Sequence, residues 1–295
     1  MLQDKVIGTY CLVDDILKGI GHYECRERKV RDSEVITTAI VSALYFKGNQ
    51  SCAINYMRSH KMIDMIGKSG FTKRLHRLAS LIMWMFLDIG RIFKYVYAEL
   101  EYVIDSFPMK VCHNIRISRS KLLKGKKWRG YNASKREYFY GVKVQLLTTK
   151  DGIPVELCFV PGSEHDIEGL KKMSIELPPE SKLYGDSAYT EYELEELFKE
   201  TELIDLQISR KANSKRPDKP WQQFIKTTMR KRIETTISEI VDMTPHSIHA
   251  VTARGFLLKL LLFVFAYQLK NPNYEKFKKH YPLFFFQQQK MYFNN

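Results

Sequence analysis

The chain has 295 residues, which is enough for one large domain or two smaller ones with a sizeable core. Its 47 Lys and Arg outnumber 33 Asp and Glu, and the formal charge of +14 favours a polyanionic partner, DNA or RNA, over a merely soluble basic surface. The five cysteines are scattered without a CxxC pair, so the sequence indicates neither a disulfide framework nor a zinc knuckle.

Two features argue against a membrane protein. The N-terminal sequence MLQDKVIGTY lacks the charged-then-apolar pattern of a signal peptide. The most apolar segment, residues 256–269, is shorter than the roughly 20 residues that span a bilayer, and Lys259 interrupts it. We therefore expect a buried core helix there, no membrane partner, and a cytoplasmic protein with reduced thiols.

Residues 1–95 have the periodicity of α-helices. Apolar residues recur at three- and four-residue steps in segments 34–46 and 75–93. Asp32 and Ser33 precede the first segment and predict the start of its helix. Polar breaks containing glycine separate the helical segments and lie at residues 48–51 and 67–71. The sequence therefore predicts an all-helical N-terminal region.

Part of this region resembles a helix-turn-helix in outline. A short helix and a glycine turn precede a basic amphipathic segment, residues 71–81. The candidate DNA contacts in this segment are Lys73, Arg74 and Arg77. The alternative is a solvated basic face of a helix.

From about residue 100 the pattern changes to short strands and helices. Strand-like apolar runs occupy residues 103–107, 138–149, 153–162, 182–189 and 203–209. Helical segments occupy residues 166–173, 189–200 and 221–243, and the last has Ile225, Met229, Ile233, Ile237 and Val241 at four-residue steps. The Asp151-Gly152 step between two runs predicts a hairpin. Together these elements predict an α/β sheet with at least one antiparallel hairpin.

Three carboxylates in this part of the chain are the candidate catalytic residues. Asp105 and Asp186 end strand-like runs, and Glu234 lies on a helix among Lys and Arg. A buried carboxylate costs several kcal/mol unless it is paired or binds a metal. Because neighbouring parallel strands end side by side, we expect the two aspartates to meet, with Glu234 approaching from the helix. Such a trio suits two Mg²⁺ ions about 3.5–4 Å apart, acting on a phosphodiester. A surface or salt-bridged carboxylate is the alternative for each acid alone.

Basic residues around these acids are candidate DNA contacts. Arg230, four residues before Glu234, can orient that carboxylate or touch a phosphate. The first basic cluster contains Arg116, Arg119, Lys121, Lys124, Lys126, Lys127 and Arg129. The second basic cluster contains Arg210, Lys211, Lys215 and Arg216. Cations neutralise phosphates, and Trp128 and Tyr131 beside the first cluster can stack on unpaired bases. Solvated charged loops are the alternative.

His165 is a possible supporting residue, because the loop after the hairpin can approach the acids. It could position a phosphate or a water molecule. The alternative is that His165 and Asp166 only cap the following helix, for which Asp166 is a suitable N-cap.

Several words of the sequence resemble the DDE transposases of bacterial insertion sequences, most closely the insertion-sequence 982 family. They include IDSFP, GYNASKREYFYGVKVQ, PGSEHD, YGDSAYT, IETTISEI and HAVTARGFLLKLLLFVFAYQLK, and they cover nearly the whole chain. The resemblance implies an α/β fold, a ribonuclease-H-like mixed sheet with flanking helices, preceded by an all-helical N-terminal domain. The expected division is a helical DNA-binding domain at 1–95, a catalytic domain at 96–270 and a basic aromatic tail at 271–295.

The same resemblance implies a function. It assigns Asp105, Asp186 and Glu234 as the catalytic triad that binds Mg²⁺, for which Mn²⁺ may substitute. It implies cleavage at transposon ends and joining of 3′-hydroxyl ends to target DNA, in a DNA-associated bacterial protein. The expected partners are double-stranded DNA, comprising terminal inverted repeats and target, and a second copy of the chain when two ends are paired.

One departure from related sequences concerns the third acid. Relatives with a similar core often carry a Tyr-Arg-Glu-Lys signature there; Arg230 matches the arginine, but Thr227 and Val241 replace the tyrosine and lysine. Glu239 is a rival to Glu234. Two other functions stay open, namely a nuclease of the same fold without strand transfer and a non-catalytic DNA-binding repressor.

Overall fold

The computed structural model describes residues 2–25, 27–64, 66–95, 99–133 and 135–270. The predicted tail at 271–295 lies outside the described residues. The chain forms two compact units. The first contains the described residues up to Ile92, Met243–Pro245 and the described residues from Leu258 onward, and the second contains Phe93–Asp242 and His246–Leu257. The predicted domain division at residue 95 stays a prediction.

Helices account for all the regular structure before residue 95, as predicted. The helices are α1 (Leu2–Gly19), α2 (Asp32–Tyr45), α3 (Gln50–Ser59), α4 (Lys68–Arg77), α5 (Ala79–Tyr95), α6 (Asp166–Lys172), α7 (Tyr192–Thr201), α8 (Pro220–Met243) and α9 (Ala253–Lys270). Helix α2 begins at Asp32 as expected, and the Glu34 carboxylate accepts a hydrogen bond from the Arg31 amide at 2.5 Å. This bond satisfies an amide that the helix leaves without an internal partner, which helps the helix to start there.

Two details of the helical region differ from the prediction. The expected break at residues 67–71 is shorter, because α4 already begins at Lys68 and the buried Phe71 lies within it. The expected continuous helix over 75–93 is interrupted at Leu78, between α4 and α5. Backbone hydrogen bonds from Leu78 to Arg74 and from Ile82 to Leu78 continue across this interruption, so the apolar periodicity does not reveal it.

Helix α9 confirms the expectation of a buried core helix. Residues from Leu260 to Tyr267 are all buried, and Phe265 packs edge-to-face on Phe86 with ring centroids 6.3 Å apart. The Gln268 side chain donates a hydrogen bond to the Phe86 carbonyl at 3.1 Å. Among the described residues, no helix has both the length and the apolarity required to cross a membrane.

The second unit is built on a six-stranded mixed sheet. Its strands are β1 (Glu101–Cys112), β2 (Arg129–Asn132), β3 (Glu137–Thr149), β4 (Pro154–Pro161), β5 (Lys182–Gly185) and β6 (Asp205–Ile208). Strand β3 pairs antiparallel with β1, β2 and β4, whereas β5 runs parallel to β1 and to β6. This mixed sheet with flanking helices, preceded by helices, confirms the predicted α/β fold class.

Helix α8 packs its central residues on the sheet. Ile233 is fully buried against Val103 of β1 and Tyr184 of β5, with Met229 and Ile237 beside them. Ile225, expected on the same apolar stripe, is exposed, because the first turns of α8 extend beyond this contact. Glu234 therefore lies next to the residue that anchors α8 to the sheet.

The predicted hairpin is present and holds α8 from a second side. Strands β3 and β4 pair antiparallel around Gly152, which adopts a left-handed φ of +82°. Arg232 Nε donates to the Asp151 carbonyl at 2.7 Å, and Thr236 Oγ1 donates to the Gly152 carbonyl at 3.0 Å. Arg232 and Thr236 lie two residues before and two residues after Glu234, so these bonds hold this part of α8 against the hairpin.

Candidate active site

Asp105 lies on β1, and Asp186 directly follows β5, the parallel neighbour of β1. Strands β1 and β5 pair at Val103 and Tyr184, and each aspartate is two residues further along its strand direction. The prediction that Asp105 ends a strand is wrong, because β1 continues past it in pairing with β3. The space beside Asp105 exists because its neighbour β5 ends at Gly185.

A backbone amide orients each of these carboxylates. The Ser106 amide donates to Asp105 Oδ1 at 2.7 Å, and the Ala188 amide donates to Asp186 Oδ1 at 2.9 Å. Asp186 thereby caps a short 3-10 turn, Ser187–Tyr189, that follows β5. Each carboxylate keeps an oxygen that makes no such backbone bond.

Arg230 lies between the first and third acids. Its Nη2 is 3.9 Å from Asp105 Oδ2 and 3.6 Å from Glu234 Oε1. Both separations are longer than a hydrogen bond. The buried Arg230 Nε has no hydrogen-bond partner among the described residues. We call Asp105, Asp186, Glu234 and Arg230 the sheet acid cluster; its arginine is close to two acids but fully bonded to neither.

Glu234 and its rival Glu239 differ in position on α8. Glu234 shares a helix face with Arg230, four residues earlier. Glu239 is five residues later, which turns its side chain by about 140° from Glu234 on an ideal helix. The Glu234 carboxylate lies 3.6 Å from Arg230 Nη2, and its side chain is 58% exposed compared with 19% for Asp105. The geometry favours Glu234 as the third member.

Burial raises the pKa of both aspartates. It raises the pKa of Asp105 to about 7, with further contributions from Asp186 and Asp166, against the opposing effects of a backbone amide and Arg230. Burial also raises the pKa of Asp186, where a backbone amide, Arg230 and Lys211 oppose the shift and Asp166 adds to it. A carboxyl group with a raised pKa has too little positive charge nearby to stabilise its ionised form.

Asp166 is a fourth carboxylate at this site. Its Oδ1 accepts hydrogen bonds from Ser106 Oγ at 2.7 Å, from Lys143 Nζ at 3.2 Å and from Gln145 Nε2 at 3.2 Å. The N-cap of α6 is His165, and Asp166 is the first helical residue, so the interpretation of Asp166 as the cap is wrong. Its carboxylate ties α6 to both β1 and β3.

This network extends to the turn after Asp186. Tyr189 Oη donates to Oε1 of the fully buried Gln145 at 2.5 Å. A Cβ atom at Gly169 would lie 2.5 Å from Gln145 Nε2, so the absence of a side chain there lets α6 pack against β3. The network therefore joins the strand of the first acid to the turn of the second.

Lys143 and Gln145 belong to this site but were not among the site residues predicted from the sequence. Both are polar residues at alternate positions of a strand whose neighbours are mostly apolar, so they project from one face of the sheet. That alternation is the signal that could have identified them.

The first basic cluster lies on the surface of the second unit. Its seven cations are all exposed, and none has an ion-pair partner among the described residues. They follow β1 on two short 3-10 turns, Asn114–Arg119 and Lys126–Trp128, and at the start of β2. His165 is also exposed.

Two of the predicted DNA contacts serve the protein interior instead. Arg210 donates two hydrogen bonds to the Glu195 carboxylate and lies over the Tyr192 ring. Arg74 donates to Asp32 Oδ1 at 2.6 Å, to Glu24 Oε1 at 3.3 Å and to the Val30 carbonyl. Their donors are therefore occupied.

Lys73, Arg77, Lys211 and Lys215 are exposed, as DNA contacts require. Arg216 is also exposed, but it pairs with Glu196 at 2.6 Å and lies over the Tyr192 ring.

Arg74 belongs to a compact group in the first unit. Within the described residues, the one set of three potential ligands with all ligand atoms within 4.8 Å of one another is His22, Glu24 and Asp32. His22 Nε2 is 3.0 Å from Asp32 Oδ2, and Arg74 bridges the two acids. We call these four residues the helical acid cluster; an arginine already occupies the position that a cation would take.

Comparison with known proteins identifies the family. A family profile described as "Transposase DDE domain" matches residues 98–250. Since the match covers more than half of the chain, the protein belongs to this family of DDE transposases, and membership implies a divalent metal cofactor. No curated protein sequence matches the chain.

Two solved structures resemble the chain weakly. They are the Mos1 transposase paired-end complex with left transposon end and a pre-cleavage Mos1 transpososome, with TM-scores of 0.25 and 0.21. Both are 10% identical to this chain and cover 77% of it and 82% of their own length. Likenesses of this size transfer no residue roles.

The sheet acid cluster fits a divalent cation. Asp105 and Asp186 offer the hard carboxylate oxygens that such ions prefer, and burial raises the pKa of both groups, so a bound cation would favour their ionised forms. Among the described residues these three acids do not form a set with all ligand atoms within 4.8 Å of one another, and the Glu234 side chain is 58% exposed. These three residues are the ones that would hold the metal.

Proposed function

We propose that this protein is a transposase of the insertion-sequence 982 type, which binds transposon ends, cleaves phosphodiester bonds and joins 3′-hydroxyl ends to target DNA. The observation that carries the proposal is the placement of Asp105 on β1 and of Asp186 directly after the adjacent parallel strand β5 in a DDE-family core, with raised pKa values and Arg230 alongside. Buried acids with uncompensated charge are characteristic of reactive sites.

In this proposal Asp105, Asp186 and Glu234 hold Mg²⁺, for which Mn²⁺ substitutes. Two bound ions would activate the attacking water or 3′-hydroxyl and neutralise the departing oxygen of an in-line displacement. Arg230 orients Glu234, and its Nη2, which lies beyond hydrogen-bond distance of both acids, is the donor for a phosphate oxygen. Asp166 keeps β1 and β3 in register beside Asp105 through its bonds to Ser106 and Lys143. The reaction needs no covalent protein–DNA intermediate.

The exposed cations are the proposed DNA contacts. The first basic cluster, with Lys73, Arg77, Lys211 and Lys215, has side chains available for phosphates. Affinity for duplex DNA should fall with salt at a log–log slope near −0.9 for each phosphate neutralised. Arg116→Gln should lower affinity for all sequences and reduce that slope by about 1. A flat salt response would contradict a mainly electrostatic interface. The natural working unit for two DNA ends is a homodimer.

The central test separates binding from chemistry. Asp186→Asn keeps the size and the amide-accepting oxygen of the side chain but removes its charge, so DNA binding should persist while Mg²⁺-dependent cleavage is lost. Glu200→Gln, an exposed acid on α7, is the matched control and should cleave like the wild type. Normal cleavage by Asp186→Asn would remove this residue from the site.

Two further comparisons refine the proposal. Glu234→Gln should abolish cleavage and Glu239→Gln should not; the reverse result would reassign the third acid. Pre-cut transposon ends supplied with target DNA distinguish a transposase from a nuclease, because only a transposase joins them. Hydrolysis without joining would support the nuclease.

A further inference from the structure

A groove of about 930 Å³ opens on the second unit beside the first basic cluster. Strands β2 and β3 form one wall, and the turn Asn114–Arg119 forms another. The Asn114 side chain donates to the Tyr138 carbonyl at 2.8 Å and fixes the turn to β3. Ile115 at the rim is 90% exposed. We call this feature the tyrosine groove.

Two tyrosines give the groove its chemical character. Tyr131 and Tyr138 are directly opposite each other in the β2–β3 pairing. Their ring centroids are 4.9 Å apart with planes tilted by 55°, and the residues are 49% and 71% exposed. An exposed apolar surface rimmed by polar groups marks an interaction site. These rings present aromatic surface that the protein itself does not cover.

The charges around the groove favour a polyanion. Arg129 lines it, and Arg116 and Arg119 lie on its turn, with no ion-pair partner among the described residues. The one carboxylate among the described lining residues, Glu164, is paired with Lys172 at 2.6 Å. The groove therefore combines unpaired cations with aromatic faces.

Lys143 connects the groove to the acids. It lines the groove, donates to the Glu164 carbonyl at 2.8 Å and donates to Asp166 Oδ1 at 3.2 Å. Asp166 is close enough to Asp105 and Asp186 to raise the pKa of both. A strand of DNA lying along the groove would therefore continue toward the sheet acid cluster.

We propose that the tyrosine groove binds one or two unpaired nucleotides of the DNA strand, adjacent to the phosphodiester that reacts at Asp105 and Asp186. This inference rests on the proposed function. Bases within a duplex have both faces covered by stacking, so the tyrosine rings can stack only on bases that have left the duplex, while the arginines hold the phosphates. The groove is of the size that small ligands occupy, about 300–1,000 Å³.

The test compares two DNA probes. Each carries the fluorescent base 2-aminopurine near one end, and they differ only in whether the last two nucleotides are unpaired or paired. The Tyr131→Ala/Tyr138→Ala double variant removes both rings, and the Tyr131→Phe/Tyr138→Phe variant keeps them. Tyr23→Ala, at a tyrosine of the first unit that is also strongly exposed, is the matched control.

The alanine variant should bind the unpaired probe at least about 10-fold more weakly and the paired probe within about twofold of wild type. The phenylalanine variant and the control should bind both probes normally. Stacking should also quench 2-aminopurine in the unpaired probe with wild type and not with the alanine variant.

Equal losses on both probes, or no loss, would overturn the inference, and so would unchanged quenching. If the wild type cleaves DNA with Mg²⁺ and the tyrosine variants behave normally, only the groove assignment fails. If the wild type neither binds nor cleaves DNA, the proposed function fails and the groove assignment fails with it.

Discussion

Each compact unit contains an arginine among carboxylates, and the two clusters differ in how fully that arginine is used. In the helical acid cluster, Arg74 donates hydrogen bonds to Asp32, to Glu24 and to a backbone carbonyl. In the sheet acid cluster, Arg230 stays 3.9 Å from Asp105 and 3.6 Å from Glu234. Similar residue types therefore form a completed network in one unit and an incomplete one in the other.

The pKa values of Asp32 and Asp105 shift in opposite directions, while burial raises the pKa of Glu24 in the helical acid cluster. Burial opposes the ionisation of Asp32, but hydrogen bonds with its neighbours, His22 first, outweigh burial and lower its pKa. At Asp105 burial dominates and raises the pKa to about 7. Complete hydrogen bonding makes an acid a part of the fold, whereas incomplete compensation leaves an acid able to bind a cation.

The largest expected effect is on stability at the completed network. Asp32→Asn would leave the Arg74 guanidinium partly buried without its main counter-charge, so the free energy of unfolding should fall by about 3–5 kcal/mol. Urea unfolding followed by circular dichroism measures the change. The control is Asp14→Asn, which breaks an i,i+4 pair with the exposed Lys18 and should change stability far less. Similar losses in the two variants would contradict the assignment of Asp32.

The corresponding change at the incomplete network should stabilise the protein. The pKa of Asp105 is about 7 in the folded chain against an ordinary 3.8, so the folded state binds more protons between these values. Wild-type stability attributable to Asp105 is therefore lost as pH rises from about 4 to 7, by at most roughly 4 kcal/mol.

Without divalent metal, Asp105→Asn should consequently be more stable than wild type at pH 8 and similar to it at pH 4. Unfolding curves of both proteins across this pH range give the comparison. If the stability of the two proteins changed with pH in the same way, the buried charge of Asp105 would not destabilise the fold. The contrast between the two clusters would then be lost.

Lysine substitutions at the two arginines should separate fold from function. A lysine lacks the planar fork that bonds several acceptors at once. Arg74→Lys should lower stability by about 1–3 kcal/mol, because buried hydrogen bonds to charged groups are lost. Arg230→Lys should keep stability near wild type and slow cleavage by about 10–100-fold, a range typical of changing a residue that supports a metal ligand. Equal destabilisation by the two changes would make Arg230 a structural residue.

The smallest expected effect concerns the support of α8. Gly152→Ala places a Cβ 2.3 Å from Thr236 Oγ1 at a left-handed φ, and should cost about 1 kcal/mol or more while reducing cleavage. Gly8→Ala, inside α1 with nothing within 4 Å, should instead stabilise by up to about 1 kcal/mol. Thermal unfolding and cleavage rates test both. Unchanged cleavage by Gly152→Ala would show that the hairpin does not position Glu234.

Local patterns predicted most of the elements. Apolar steps of three and four residues identified α2 and α8, a short apolar run identified α9, and the Asp151-Gly152 step identified the hairpin, because these signals depend on neighbours within a few residues. The error at Asp105 arose from a long-range fact: β1 continues by pairing with β3, and its partner β5 is the strand that ends.

Side-chain roles depended on contacts that are distant in sequence. The sequence predicted Arg74 and Arg210 to be surface cations like their neighbours. In the structure they donate hydrogen bonds to Asp32 and Glu195, which are 42 and 15 residues away in the sequence. Asp166 read as a helix cap, yet its partner Ser106 is 60 residues earlier. No local pattern contains such partners.

The amino-acid sequence alone was sufficient for the fold class, the transposase family and the identity of three candidate acids, because composition, periodicity and family words are local properties of the chain. The tertiary structure decided which cations are available to DNA, which acids carry uncompensated charge, and where unpaired aromatic surface opens beside them. Those properties follow from burial and from hydrogen bonds between distant segments, which exist only once the chain has folded.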